Sequence, residues 1–159
     1  MRYAGGAGMG NWRGEFPGEP EEAFGRILNR ALFLFILDIE VKRARRYQNF
    51  LCLVLFKIRR FSHEGDREGL EACHRTLSDL LTAEMRESDI IGSLELDSVV
   101  ALLPYADVKA GAHVKSRFED VLKYYDFKSK GVEILIDQVC FPVNGSDGME
   151  LVKRALRIE

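Results

Sequence analysis

The run FLCLVLFKI, Phe50 to Ile58, constrains the fold more than any other stretch: it is nine residues long, and only Lys57 is not apolar. A strand of that length with no polar alternation is covered on both faces, so the chain must place a layer on each side of a sheet. From Phe24 to Tyr47 the apolar spacing is helical, and the segment closes on VKRARRY, whose cations suit the negative end of a helix dipole. After the polar loop RRFSHEGDREG, the stretch LEACHRTLSDLLTAEM sets Leu70, Cys73, Leu77, Leu80 and Leu81 at helical spacing. SDIIGSL and SVVALLP read as strands joined by the turn Glu95-Leu96-Asp97-Ser98-Val99. Asp107 is the expected N-cap of a helix with Val114, Phe118, Val121, Leu122 and Tyr125 on one face. VEILIDQVCF is a further strand, and DGMELVKRAL starts a closing helix. The order α-β-α-β-β-α-β-α predicts an α/β fold, a central mostly antiparallel sheet flanked by helices rather than a doubly wound parallel one.

A chain of 159 residues is expected to form one domain. Residues 1–22 are Gly-rich, contain Pro17 and Pro20 and show no periodicity, so they read as a flexible N-terminal segment or linker stub, with the domain at 23–159. A net charge of −2 provides no field to hold nucleic acid. ALFLFIL, closed by Arg30 and Asp38, is far short of the roughly 20 residues that span a bilayer, and Met1 to Gly25 holds no apolar signal core, so membrane insertion is not expected. Cys52, Cys73 and Cys140 lack paired spacing, and Cys52 and Cys140 sit in apolar runs as small hydrophobes would, which fits a reducing cytoplasm. His63, His74 and His113 show no metal-ligand spacing and are expected at surface or boundary positions.

Three stretches together resemble the GGDEF domains of diguanylate cyclases. NRALFLFILDIEVKRARRYQNFLCLVLFKI is similar to the family's opening helix and first strand, RESDIIGSLELDSVVALLPYAD matches the frame RESDxVxRxGGDEFxxLLPxTD without a gap, and VEILIDQVCFPVNGSDGMELVKRAL resembles the later strand and last helix. The resemblance implies a nucleotide-cyclase palm-like fold. In that frame the signature becomes Glu95-Leu96-Asp97-Ser98-Val99. Glycines there would permit positive φ and close approach to a guanine base, whereas Glu95 and Leu96 put side chains in that space. Of the family's magnesium carboxylates Asp97 survives; the strand aspartates are replaced by Lys57 and Arg59, and the loop that helps hold guanine by SHEGDREG. An ammonium in place of a carboxylate repels the metal. The expectation is therefore a catalytically inactive domain, not an enzyme, with no catalytic residues, metal or cofactor.

A second family feature, an RxxD motif that binds the product cyclic di-GMP, is matched by Arg86-Glu87-Ser88-Asp89, with Arg86 nine positions before Glu95. A guanidinium can pair bidentately with guanine O6 and N7 or with phosphate, and a carboxylate can accept from the guanine donor edge. Arg117 stands where the family often supplies a further arginine. Arg117-Phe118-Glu119-Asp120 repeats the RxxD pattern on a helix, so only register with the hairpin distinguishes Arg86 and Asp89. On the first helix Leu28, Leu32, Phe35 and Ile39 follow 4-3-4 spacing with Ile36 beside them, while Ala31, Leu34, Leu37 and Val41 form the stripe expected to cover the sheet. A helix apolar on two sides must bury both, so the first set is expected to meet a second copy or another signalling protein, unless the N-terminal segment folds back over it. The leading expectation is a signalling module that binds cyclic di-GMP at Arg86 and Asp89, with Arg117 assisting. The alternative is a scaffold or dimerisation domain that binds no nucleotide.

Overall fold

A computed structural model describes residues 27–61 and 67–157; the N-terminal segment 1–22 and loop residues 62–66 lie outside the described residues. In chain order the elements are β1 Ile27–Leu28, α1 Arg30–Tyr47, β2 Leu51–Arg60, α2 Arg67–Glu84, β3 Ile90–Glu95, β4 Ser98–Pro104, α3 Val108–Leu122, a 3₁₀ turn Lys128–Lys130, β5 Val132–Phe141 and α4 Gly148–Leu156. The five strands form one sheet in the order β1-β3-β4-β2-β5. Every pairing is antiparallel except β1 with β3. The expected mostly antiparallel α/β architecture is the one found.

β2 is an inner strand of the sheet, buried from Leu51 to Phe56 and flanked by β4 and β5. Alternation divides its side chains between two cores. Cys52, Val54, Phe56 and Ile58 meet α2 and α3 through Leu77, Leu81 and Phe118, with the Phe56 and Phe118 rings edge to face at 5.2 Å. Leu51, Leu53 and Leu55 meet α1 and α4 through Phe33, Leu37 and Leu151. Each such side chain contributes about 1.5–3 kcal/mol on full burial, so the continuous apolar run stabilises both layers at once. Asp107 and Asp147 cap α3 and α4, accepting from Ala110 N and Glu150 N at 2.8 and 2.9 Å.

Three expectations change. The first helix begins at Arg30, not near Phe24: Asn29 accepts from Leu32 N at 2.9 Å as its cap, and Ile27 and Leu28 instead pair with Ile91 and Gly92. The stripe of α1 that covers the sheet is Phe33, Leu37, Val41 and Ala44; Ala31 is exposed and Leu34 half-buried. The reason lies across the interface, where Gly92 leaves the room that Phe33 fills. Finally, Cys52 and Cys140 are register partners on β2 and β5 and are joined as a disulfide beneath Gly111 of α3, while Cys73 is a free, buried thiol. Cys52 and Cys140 therefore act as a covalent link between strands and not only as small hydrophobes. No helix among the described residues is long and apolar enough to cross a membrane.

Candidate functional site

The β3–β4 hairpin is held by short local bonds. Glu95 N donates to Ser98 Oγ at 3.1 Å, Ser93 Oγ donates to Glu95 O at 3.3 Å, and the register shifts between Ser93 and Glu95. Ile58 N donates to Asp97 O at 2.7 Å, which fastens the turn to β2. Glu95 and Leu96 are exposed at the tip, as expected from side chains with no core to enter. The hairpin also ties to the start of α1: Arg30 Nη1 donates to Leu94 O at 3.1 Å and lies 3.9 Å from Glu95 Oε1.

Lys57 is the register partner of Ser98, next to Asp97, and alternation sets it on the same side of β2 as Leu55, toward α1. Arg59, two residues on, forms an ion pair with Glu133 of β5. A divalent cation does not fit these donors: Asp97 is one carboxylate with an ammonium-bearing residue beside it. Among the described residues no three His, Cys, Asp or Glu side chains gather to hold a metal ion. Asp97 Oδ1 is buried and has no hydrogen-bond partner among the described residues.

His74 holds the boundary position expected of it, half-buried between α2 and the hairpin, but with specific partners. Its Nε2 is 3.0 Å from Ser93 Oγ and its Nδ1 is 3.4 Å from Ser78 Oγ. Burial holds its pKa below the ordinary value, and the nearby Asp97 charge opposes that shift. The sequence signal was faint: His74 and Ser78 are four residues apart on one helix face, beside the buried Leu70, Cys73, Leu77 and Leu81.

The RxxD motif forms a tight turn just past α2. Asp89 N donates to Arg86 O at 3.0 Å, and Arg86 N donates to Asp89 Oδ2 at 3.1 Å. The Arg86 side chain is exposed and Asp89 is half-buried. Arg117, 31 positions further along the sequence than Arg86, reaches the same place from α3: its Nη2 donates to Glu84 O at 3.2 Å, two residues before Arg86. Two guanidinium-bearing residues and one carboxylate thus converge on the C-terminal end of α2. That set can grip an anion or the edge of a base.

The apolar stripe of α1 is only partly as expected. Leu32 is 44% exposed, Phe35 62% and Ile39 39%, so the three offer a continuous apolar surface. Ile36 is half-buried at its edge, and Leu28 belongs to β1, packed against the core, rather than to the helical seam.

Comparison with known proteins adds the following. The sequence profile of the family described as Diguanylate cyclase, GGDEF domain, matches residues 23–157. Among curated proteins none matches the chain in sequence. Solved structures with the same fold include the GGDEF domain of YfiN (TpbB) from Pseudomonas aeruginosa, at 18% identity over 81% of this chain and 85% of that one, TM-score 0.63. A diguanylate cyclase protein from Thermotoga maritima is 14% identical over 83% of this chain and 95% of that one, TM-score 0.66. The GGDEF domain of DgcB from Caulobacter crescentus, solved in complex with cyclic di-GMP, is 13% identical over 81% and 78%, TM-score 0.57. The expectation that the chain is not an enzyme is overturned by the profile match, because the matching family is one of diguanylate cyclases. The charge change at Lys57 and the loss of the turn glycines alter the hairpin without removing the chain from that family.

Proposed function

The chain belongs to the GGDEF family of diguanylate cyclase domains, and from that premise we propose that it is a signalling module that binds cyclic di-GMP at Arg86 and Asp89, with Arg117 assisting. The observation that carries this reading is the bond from Arg117 to Glu84 O, which brings a guanidinium from α3 to the turn that holds the RxxD pair. The exposed Arg86 fork suits guanine O6 and N7 or a phosphate, and Asp89 suits the guanine donor edge. That a related fold, the Caulobacter DgcB GGDEF domain, was solved in complex with cyclic di-GMP supports the ligand class. Binding is passed on through contacts of α1 at Leu32, Phe35, Ile36 and Ile39, made with a second copy or with another signalling protein.

Calorimetric titration of the purified chain with cyclic di-GMP tests the reading, with turnover of GTP in magnesium assayed on the same preparation. Saturable binding that vanishes in Arg86→Ala sustains it. A second reading, a contact domain that binds no nucleotide, is favoured by the exposure of Phe35. It predicts no heat with cyclic di-GMP, an assembly disrupted by Phe35→Glu, and no effect of Arg86→Ala.

A further inference from the structure

The two helical layers differ in charge. α1 and α4, on one face of the sheet, carry seven cations and three carboxylates. α2 and α3, on the other face, carry five cations and six carboxylates. Within the first layer Lys42 pairs with Asp38 at 2.8 Å and Arg43 with Glu40 at 3.4 Å, which uses both carboxylates of α1. Arg46, Lys153 and Arg154 are exposed and have no carboxylate within ion-pair distance among the described residues.

These three cations flank the apolar stripe at its two ends. Arg46 lies seven positions past Ile39, on the same side of α1 as Leu32, Phe35 and Ile39. α4 flanks the other end. Arg45 donates to Ser146 O, and a Cβ on Gly148 would meet Leu37 and Asp38, so α4 runs back beside α1 in the opposite direction. Lys153 and Arg154, in the last turn of α4, therefore stand beside the N-terminal half of α1, where Leu32 and Phe35 lie.

An occupant that complements this surface is apolar in its middle and anionic toward both ends. Leu32, Phe35 and Ile39 are three and four positions apart, a narrow ridge of the spacing that seats another helix rather than a planar surface. A second copy of the chain answers the apolar part but brings the same uncompensated cations. Two identical layers then meet cation against cation, which disfavours self-pairing.

We propose that the layer of α1 and α4 docks an acidic amphipathic helix of another protein. Its apolar stripe lies on Leu32, Phe35 and Ile39, and its carboxylates reach Arg46 at one end and Lys153 and Arg154 at the other. Phe35, the most exposed of the three apolar residues, is the anchor, and the cations set orientation and partner choice. The inference names the partner of the contact reading above and rests on it only in taking the stripe as a contact surface.

The probe is a labelled, alanine-based helical peptide as long as α1, with Leu at three-four spacing and Glu on both flanks. A control peptide has Lys in place of every Glu. Fluorescence anisotropy with the full chain should show saturable binding of the Glu peptide, several-fold weaker at high salt, and none of the Lys peptide. Phe35→Glu, and separately Lys153→Glu with Arg154→Glu, should each weaken binding by about tenfold or more. Far-ultraviolet circular dichroism should stay unchanged in both, because all three residues are exposed. Absence of Glu-peptide binding overturns the proposal, as do equal binding of the two peptides and binding indifferent to Phe35→Glu. A dimer in sedimentation that Phe35→Glu dissociates assigns the surface to a second copy and overturns it. Co-sedimentation with phosphatidylglycerol vesicles, lost in Phe35→Glu, assigns it to a lipid surface and also overturns it. If cyclic di-GMP gives no heat while the Glu peptide binds as described, the nucleotide reading fails and the docking surface stands; the reverse pair of results removes the docking surface alone.

Discussion

Gly92 and Phe33 share one space: a Cβ on Gly92 would stand 2.5 Å from Cγ and Cδ2 of the Phe33 ring and 2.7 Å from its Cβ, and Phe33 is fully buried. The ring cannot swing away from all three contacts while α1 stays seated. Gly92→Ala is therefore expected to destabilise the domain by about 1–3 kcal/mol, as overpacked core sites do. Chemical denaturation reads this as a lower midpoint at unchanged slope. Phe33→Leu made in the Gly92→Ala background should recover part of the loss; a Gly92→Ala midpoint equal to the parent's would mean that the helix lifts freely.

Arg117 bears on the ligand site without belonging to its turn. Charge-assisted hydrogen bonds contribute about 1.5–3 kcal/mol, so Arg117→Ala should weaken cyclic di-GMP binding by tenfold or more. Arg117→Lys should recover little, because an ammonium lacks the planar fork. Isothermal titration of both variants checks this. Equal affinity in all three proteins would take Arg117 out of the site.

His74 links stability to pH. Its folded pKa lies below the ordinary value of 6.5, so between the two values the unfolded chain binds the extra proton. The stability that depends on neutral His74 is complete above about pH 6.5 and is lost as pH falls below it toward the lower folded value. His74→Gln keeps a hydrogen-bonding side chain near Ser93 and Ser78 but does not titrate. Melting temperatures measured from pH 7.5 to 5.5 should decline less steeply in the variant; parallel curves would show that other groups carry the dependence.

The cysteines can be counted. Purified protein denatured without reductant should show one reactive thiol, Cys73, and three after reduction, because Cys52 and Cys140 are bonded. Three thiols before reduction would place Cys52 and Cys140 as a free pair across the strands.

What was legible in the sequence was local. The unbroken apolar run of β2, the strands of β4 and β5 and the cap Asp107 depend on residues within a few positions of one another, and each was read close to where it lies. The RxxD motif was visible in the same way, through its distance from the hairpin. Burial periodicity on α1 was not enough, because Ala31, Phe33 and Leu34 lie too close along the helix for spacing alone to say which faces the sheet.

By itself, then, the sequence determined the period of the four helices and the four longer strands, most of their ends and the family frame that aligns Lys57 and Asp97 with metal-binding positions. Only the tertiary structure decided the rest. β1 exists because Ile27 and Leu28 find Ile91 and Gly92, 64 positions away, and a two-residue strand has no pattern of its own. Phe33 turns inward because Gly92 vacates the space opposite, and Cys52 meets Cys140 across 88 positions because β2 and β5 pair in that register. Arg117 reaches Glu84 because α2 and α3 pack on one face of the sheet. Each of these contacts joins segments that are distant along the chain, and their proximity is a property of the packed sheet rather than of any local stretch of residues.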